Sequence, residues 1–301
     1  MAGGQERILR QRVSSIQSTK KITRAMELVA ASRLKKAEDK LRAAAPYADL
    51  ISETVKDLAF STGGTNSPFF RTQENKSNRV AHIVCASDRG LCGGYNFYIM
   101  KGTEGEIKEF KDVGSDYALI TVGKKAKTYF EYRNYKIEEA YTGFSDQPTF
   151  EDAKTVADKA IELFLSGQVD RVQIIYTRFI SMGSQEVVHR PLLPLDKDVL
   201  KGGDGRANDA DENTIAGDFT FEPDPETILD VLLPKYVEAR VYADLLNSAA
   251  SEQAARQRAM KAATENASDL ILTYERKANQ MRQEAITTEI MEVIGGAEAL
   301  S

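Results

Sequence analysis

The chain has 301 residues, of which 42% are hydrophobic and 28% charged, enough for one large domain or two small ones. It holds no run of eighteen apolar residues, which excludes a membrane-spanning helix, and only two cysteines, which excludes a disulfide framework. The net charge of −5 hides an asymmetry: residues 1–45 carry eleven Lys/Arg against four Asp/Glu, whereas residues 196–230 carry eleven acids against three bases. A basic stretch of this kind fits a solvated helix face, or a rod that meets an acidic partner. Charge alone leaves that partner open between nucleic acid and an acidic protein surface.

Met1 to Glu6 lacks an apolar signal core, so the chain is expected to stay in the compartment where it is made. From Gln5 to Ala45 there is no glycine or proline, and the run predicts a helix of roughly 60 Å. Leu9, Val13, Ile16, Ile22, Met26, Val29, Leu34, Ala37 and Leu41 mark one face of it. The stripe is interrupted between Ile16 and Ile22 and again between Val29 and Leu34. Pro46 either kinks this helix or opens a second one, which ends near the Thr62-Gly63-Gly64-Thr65-Asn66 loop.

The middle alternates. Val80–Ala86, Tyr117–Val122 and Val172–Phe179 read as buried strands, with a fourth at Glu186–His189. Helical patterns at about 94–111, Lys125–Arg133 and Glu151–Leu165 lie between them. This alternation predicts a mostly parallel sheet with helices on its faces, a small α/β domain over 78–195. Residues 196–220 are acidic and glycine-rich and read as a flexible surface loop.

The last segment, 221–301, opens with Glu222-Pro223-Asp224-Pro225. From Lys235 to Ile294 it has neither glycine nor proline, enough for a helix of roughly 90 Å. Met260, Ala263, Ala267, Leu270, Tyr274, Ala278, Met281 and Ala285 form a coiled-coil-like seam, with Ile286, Ile290 and Val293 as a neighbouring stripe. Pro234 predicts a kink or a fresh start, and Gly295-Gly296 a C-terminal stop. Each alanine in the seam forfeits on the order of 1–2 kcal/mol of burial relative to leucine, so such a pair needs a sleeve or partial packing.

Chemistry-bearing motifs are sparse. Ser87-Asp88-Arg89-Gly90-Leu91-Cys92-Gly93-Gly94 follows a strand and precedes a helix, where an α/β sheet places ligands. Its spacing matches neither the dinucleotide nor the P-loop pattern, and Gly123-Lys124-Lys125 lacks the rest of a P-loop. His82 and His189 read as satisfied sheet histidines, Cys85 as a small buried hydrophobe. No metal-ligand spacing appears, and no nucleophile has an evident base. The expectation is therefore no catalytic residue, no cofactor and no metal. Two other readings stay open on these residues: a nucleotide-dependent α/β enzyme with helical dimerisation arms, and a nucleic-acid-binding coiled coil.

The sequence resembles the gamma subunit of F-type ATP synthases along nearly its whole length. The resemblance is carried by Lys21–Arg33 (Lys-Ile-Thr-Arg-Ala-Met-Glu-Leu-Val-Ala-Ala-Ser-Arg) and Ser87–Gly93. Later come Glu222–Pro225, Ala250–Arg256, Ala259–Ala267, Arg282–Ile290 and Ile294–Ala297. It implies an α/β fold class with a long antiparallel two-helix coiled coil, formed by residues 1–60 and the C-terminal helix, plus a central Rossmann-like domain. It implies a non-catalytic rotor shaft that couples proton flow to conformational cycling of catalytic beta subunits and regulates ATPase activity. The implied partners are the alpha and beta subunits, the epsilon subunit and the ring of c subunits, with no nucleic acid. Membrane association is indirect, at the cytoplasmic face of a bacterial plasma membrane.

The resemblance also carries residues over. Arg282 and Gln283 match a pair that hydrogen-bonds a catch loop on beta, and Thr287 and Glu289 match nearby polar positions. Met26 matches a position close to the acidic loop of beta, and Arg89 an arginine that contacts the same part. Lys20, Lys21 and Arg33 are expected electrostatic partners. The redox-regulatory cysteine insertion of chloroplast members is absent. Gly143–Phe150 and Leu232-Leu233-Pro234 are closest to actinobacterial members.

Overall fold

The computed structural model describes residues 2–61, 67–70, 78–195 and 225–298. The chain divides into two units, Arg33–Ala255 and Met1–Ser32 with Arg256–Ser301. Helix α1 (Ala2–Ser61) and helix α5 (Pro225–Glu298) each contribute to both units. Pro46 lies inside α1 and Pro234 inside α5, so neither starts a new helix. Gly295-Gly296 does not end α5 either. The acidic 196–220 segment, the loop at 62–66 and Glu222–Asp224 lie outside the described residues.

In the Arg33–Ala255 unit, β1 (Arg79–Cys85), β2 (Asp116–Val122), β3 (Glu139–Tyr141), β4 (Arg171–Phe179) and β5 (Gln185–Leu193) form one sheet in the order β3-β2-β1-β4-β5. The β1, β2, β3 and β4 ladders are parallel, and β5 joins β4 as an antiparallel edge. Helices α2 (Tyr95–Asp112), α3 (Lys124–Tyr132) and α4 (Phe150–Leu165) make the crossovers. Short β3 escaped the periodicity, since three residues cannot establish an alternation.

Strand alternation sorts the core into two layers. Ala81, Ile83 and Cys85 of β1 share one buried cluster with Val156 and Phe164 of α4, Ile51 and Val55 of α1, and Leu233 and Val237 of α5. Val84 faces the other way, onto Ile99 and Ile107 of α2 and Phe130 of α3. Thr149 starts α4 with a reciprocal cap: its hydroxyl accepts from Asp152 N–H, and the Asp152 carboxylate accepts from Thr149 N–H. Within this unit the helices also pair, Leu34 and Ala37 against Ala250 and Ala254.

In the other unit, residues of α1 and α5 pair antiparallel. Thr23 meets Thr264, and the segment Gln5–Arg12 shares a groove with Lys277–Met281. The inward face of α1 is Leu9, Val13, Ile16, Lys20, Thr23, Glu27 and Ala30, with steps that alternate four and three. This corrects the predicted stripe. Ile22 is 62% exposed and Val29 53% exposed, so both point outward. The heptad is uninterrupted, because Lys20 fills the first apparent gap and Ala30 the second. On α5 the inward residue is Ile271, and Leu270 faces solvent.

Candidate partner-contact surface

In the Met1–Ser32 and Arg256–Ser301 unit, Arg282, Gln283, Thr287 and Glu289 are all exposed on the last turns of α5. A helical repeat of 3.6 residues puts Arg282 and Glu289 on one stripe and Gln283 and Thr287 on the next. The Thr287 hydroxyl donates to the Gln283 carbonyl at 2.9 Å. That leaves the Gln283 amide free of this bond and directed by its own rotamer. Ile286, Ile290 and Val293 lie among them, also exposed. An exposed guanidinium, an amide and a carboxylate on adjoining stripes can hydrogen-bond a partner's backbone and charged side chains.

The N-terminal half of the same unit carries Lys20, Lys21 and Met26. Lys20 sits half-buried on the inward seam, Lys21 faces solvent, and Met26 is half-buried beside the seam. They form a second patch: Thr264, which meets Thr23, is eighteen residues, or about 27 Å of helix, from Arg282. Between the patches lies a groove of about 430 Å³ lined by Gln5, Ile8, Leu9, Arg12, Lys277, Gln280 and Met281. Its floor is apolar, and Arg12 and Lys277 supply positive charge. It suits an acidic segment with an apolar anchor.

At the second patch the seam is polar. Thr23 and Thr264 share a hydrogen bond of 2.8 Å, and Glu27, 8% exposed, accepts both its bonds from Arg24 at 2.8 Å. Sequence reading overlooked Thr23 and Glu27 as seam residues. The signal was available as the seven-residue step from Ile16 through Thr23 and Ala30 to Ala37.

In the Arg33–Ala255 unit, Arg89 is exposed on the β1–α2 loop. Arg33 is half-buried and forms an ion pair with Asp146, so its charge is partly matched within the chain. The neighbouring Asp88 explains why this loop is shaped as it is. One carboxylate oxygen accepts from Lys124 N–H at 2.9 Å, and the other accepts from Gly143 N–H at 2.9 Å and Ser145 N–H at 3.0 Å. Partial burial pushes the Asp88 carboxyl up. The Gly143, Ser145 and Lys124 amides and the Ser145 hydroxyl outweigh that and hold it below its usual 3.8.

Backbone amides at the C-terminal edge of this sheet are what a phosphate would use. Here Asp88 already takes the amides of Lys124, Gly143 and Ser145, which argues against a nucleotide cradle at this motif. Leu91 in the same loop has φ +64° and is 62% exposed, an apolar side chain held outward in the left-handed region. Among the described residues no group of His, Cys, Asp and Glu is arranged to hold a metal ion. Cys85 and Cys92 are both buried, and neither is in a disulfide.

Paired terminal helices, an α/β unit whose loops are joined at one sheet edge, and charged patches along the helix pair define a mixed α/β protein with long terminal helices. Comparison with known proteins gives the family. A family model described as ATP synthase matches residues 5–300. The ATP synthase gamma chain of Parafrankia sp. is 45% identical over 305 residues, covering 99% of this chain and 98% of that one. The ATP synthase gamma chain of Mycolicibacterium gilvum is 42% identical, covering 98% of this chain and 97% of that one. Among solved structures, a chain of the central stalk and c-ring of Tetrahymena thermophila mitochondrial ATP synthase is similar with a TM-score of 0.56 at 25% identity, over 80% of this chain and 99% of that one. A chain from Euglena gracilis mitochondrial ATP synthase shares the fold with a TM-score of 0.63 at 18% identity, over 99% of this chain and 95% of that one. The chain belongs to the family of ATP synthase gamma chains.

Proposed function

We propose that the chain is the rotor shaft of a proton-translocating F-type ATP synthase. It couples proton flow through a ring of c subunits to conformational cycling of catalytic beta subunits, and it regulates ATPase activity without being catalytic itself. Its partners are the alpha and beta subunits, the epsilon subunit and the c ring. A shaft that touches equivalent beta subunits with different faces biases each one's open or closed state by differential contact.

Membrane association is peripheral, and among the described residues no helix is long and apolar enough to cross a membrane. The cytoplasmic face of a bacterial plasma membrane is the side we assign. Arg282, Gln283, Thr287 and Glu289 form the beta contact at the end of α5. Met26, Lys20, Lys21 and Arg89 provide further contacts to beta, and Arg33 a weaker one because Asp146 partly matches its charge. The observation that carries the reading is the antiparallel helix pair, whose seam mixes Leu9, Val13 and Ile16 with Lys20, Thr23 and Glu27 and whose outer face carries charged groups. Such a surface is polar enough to turn against a sleeve without locking in one orientation.

Reconstitution with alpha and beta subunits tests it. Hydrolysis of ATP by the alpha–beta hexamer should depend on this chain, and the chain should co-purify with both. ATP hydrolysis by the isolated chain would overturn the proposal.

A further inference from the structure

We infer that a polar bolt over Asp244–Ser251 keys helix α5 to the α/β sheet and transmits torque between them. The inference rests on the rotor reading. Four contacts from three elements converge on two turns of α5, all within the Arg33–Ala255 unit. Arg190 Nη1 on β5 donates to Asp244 Oδ1 at 2.6 Å. Phe179 N–H on β4 donates to Asn247 Oδ1 at 3.3 Å. The Tyr95 hydroxyl on α2 donates to the Ser248 carbonyl at 3.2 Å, and the Ser251 hydroxyl donates to the Thr177 carbonyl on β4 at 2.9 Å. At about 100° per residue, positions 244, 247, 248 and 251 share a single face of the helix.

Apolar burial is non-directional, so it fixes the rotation of a helix less sharply than hydrogen bonds of set angle do. Leu245 and Leu246 are buried within the same two turns, and the small Ala249, Ala250, Ala254 and Ala255 that follow add little further relief. Hydrogen bonds weaken steeply once their angle is lost. A turn of one residue about the helix axis would break all four contacts together.

The strongest contact is also the most rigid. Asp244 is fully buried, and its partner guanidinium stacks 5.0 Å from the centroid of the fully buried Tyr176 ring. The Asn247 amide is oriented by donating to the Ala243 carbonyl at 2.9 Å. These are positioning residues. They hold α5 at a fixed rotation against the sheet.

The test uses the complete synthase in inverted vesicles, built with the parent chain, Asp244→Asn, Ser251→Ala or both substitutions. Two quantities are read: ATP hydrolysis with the proton gradient collapsed by an uncoupler, and protons pumped per ATP as the gradient builds. The expected result is unchanged unloaded hydrolysis, with protons per ATP falling severalfold under load in the double variant. An unchanged ratio under load overturns the inference. So does an equal fall in unloaded hydrolysis, which marks a loss of structure rather than of torque. Should Asp244→Asn prevent assembly, Ser251→Ala removes a single hydroxyl and faces the same two outcomes. Failure of the parent chain to assemble or pump counts against the rotor reading instead, and is read before any variant.

Discussion

Thr23 Oγ1 and Thr264 Oγ1 lie 2.8 Å apart across the helix pair, where an unbroken heptad would ordinarily place two aliphatic side chains. Each hydroxyl carries one proton. Thr264 Oγ1 lies 2.8 Å from the Met260 carbonyl, and Thr23 Oγ1 lies 3.1 Å from the Lys20 carbonyl. One threonine therefore donates across the pair while the other donates to its own helix. Thr23→Val keeps the shape, removes one hydroxyl and leaves the other bonded only to its own helix. It should cost about 1 kcal/mol, whereas the double Thr23→Val, Thr264→Val variant should cost less than the sum of the two. Urea unfolding of the three variants measures this, and strict additivity would show that the two hydroxyls are not coupled.

Arg282→Ala separates contact from folding. The side chain is exposed on α5, so the isolated chain should melt within about 0.5 kcal/mol of the parent. In the assembled complex the same variant should slow ATP hydrolysis severalfold. A large fall in melting temperature would show that Arg282 supports the fold instead.

How far the sequence disclosed this structure depends on the length of the signal. Strands β1, β2 and β4, helices α2 to α4 and both terminal helices were legible, because each carries several repeats of its period. Which residues face inward on the terminal helices was only partly legible. Ile22 and Val29 drew the eye as apolar residues, yet the heptad passes through Lys20, Thr23, Glu27 and Ala30. The polar occupants follow from a face that need bury little: a seam of small and polar residues satisfies the geometry without the hydrophobicity on which periodicity reading relies. Arg282 and its neighbours were singled out through family resemblance, and they are exposed on α5. The Asp88 contacts to Lys124, Gly143 and Ser145 join loops far apart in sequence, and no local pattern announces such a junction. The Arg190–Asp244 pair was hidden for the same reason.

Gly123 marks where backbone approach, not side-chain chemistry, sets the residue. It has φ +97°, and a Cβ there would stand 2.1 Å from the Ala86 carbonyl oxygen. That carbonyl cannot retreat easily, since the adjoining Ala86 N–H donates to the Val122 carbonyl at 2.9 Å. Gly123→Ala should cost more than about 4 kcal/mol and leave little folded protein. Gly105→Ala is the matched control. Gly105 lies inside α2 with nothing within 4 Å of the added carbon, and removing a helix-interior glycine should stabilise by about 1 kcal/mol. Thermal melting of the two variants should move in opposite directions.

His82 makes the fold sensitive to acid. Its side chain is fully buried on β1, edge-on to Phe110, and its Nδ1 lies 2.7 Å from Gln173 Nε2. Because Gln173 Nε2 can only donate, Nδ1 is the acceptor and the proton of the neutral ring sits on Nε2. Burial lowers the pKa to about 4; Glu106 pulls it upward and His189 lowers it further. The unfolded chain binds this proton below about 6.5, the folded chain only near 4. The contribution to stability is therefore complete above the unfolded value and drains away as the pH falls through the interval, amounting to about 3 kcal/mol by its lower end. Glu106, whose carboxyl is held low against its own burial by His189 and Gln173, drains stability in the same direction at lower pH. His82→Gln removes the first titration and leaves Glu106 and His189 in place. Urea midpoints for the parent and this variant, compared at neutral pH and near pH 4.5, should show the parent losing distinctly more stability. Equal losses would mean that the buried imidazole is not the group that acid finds first.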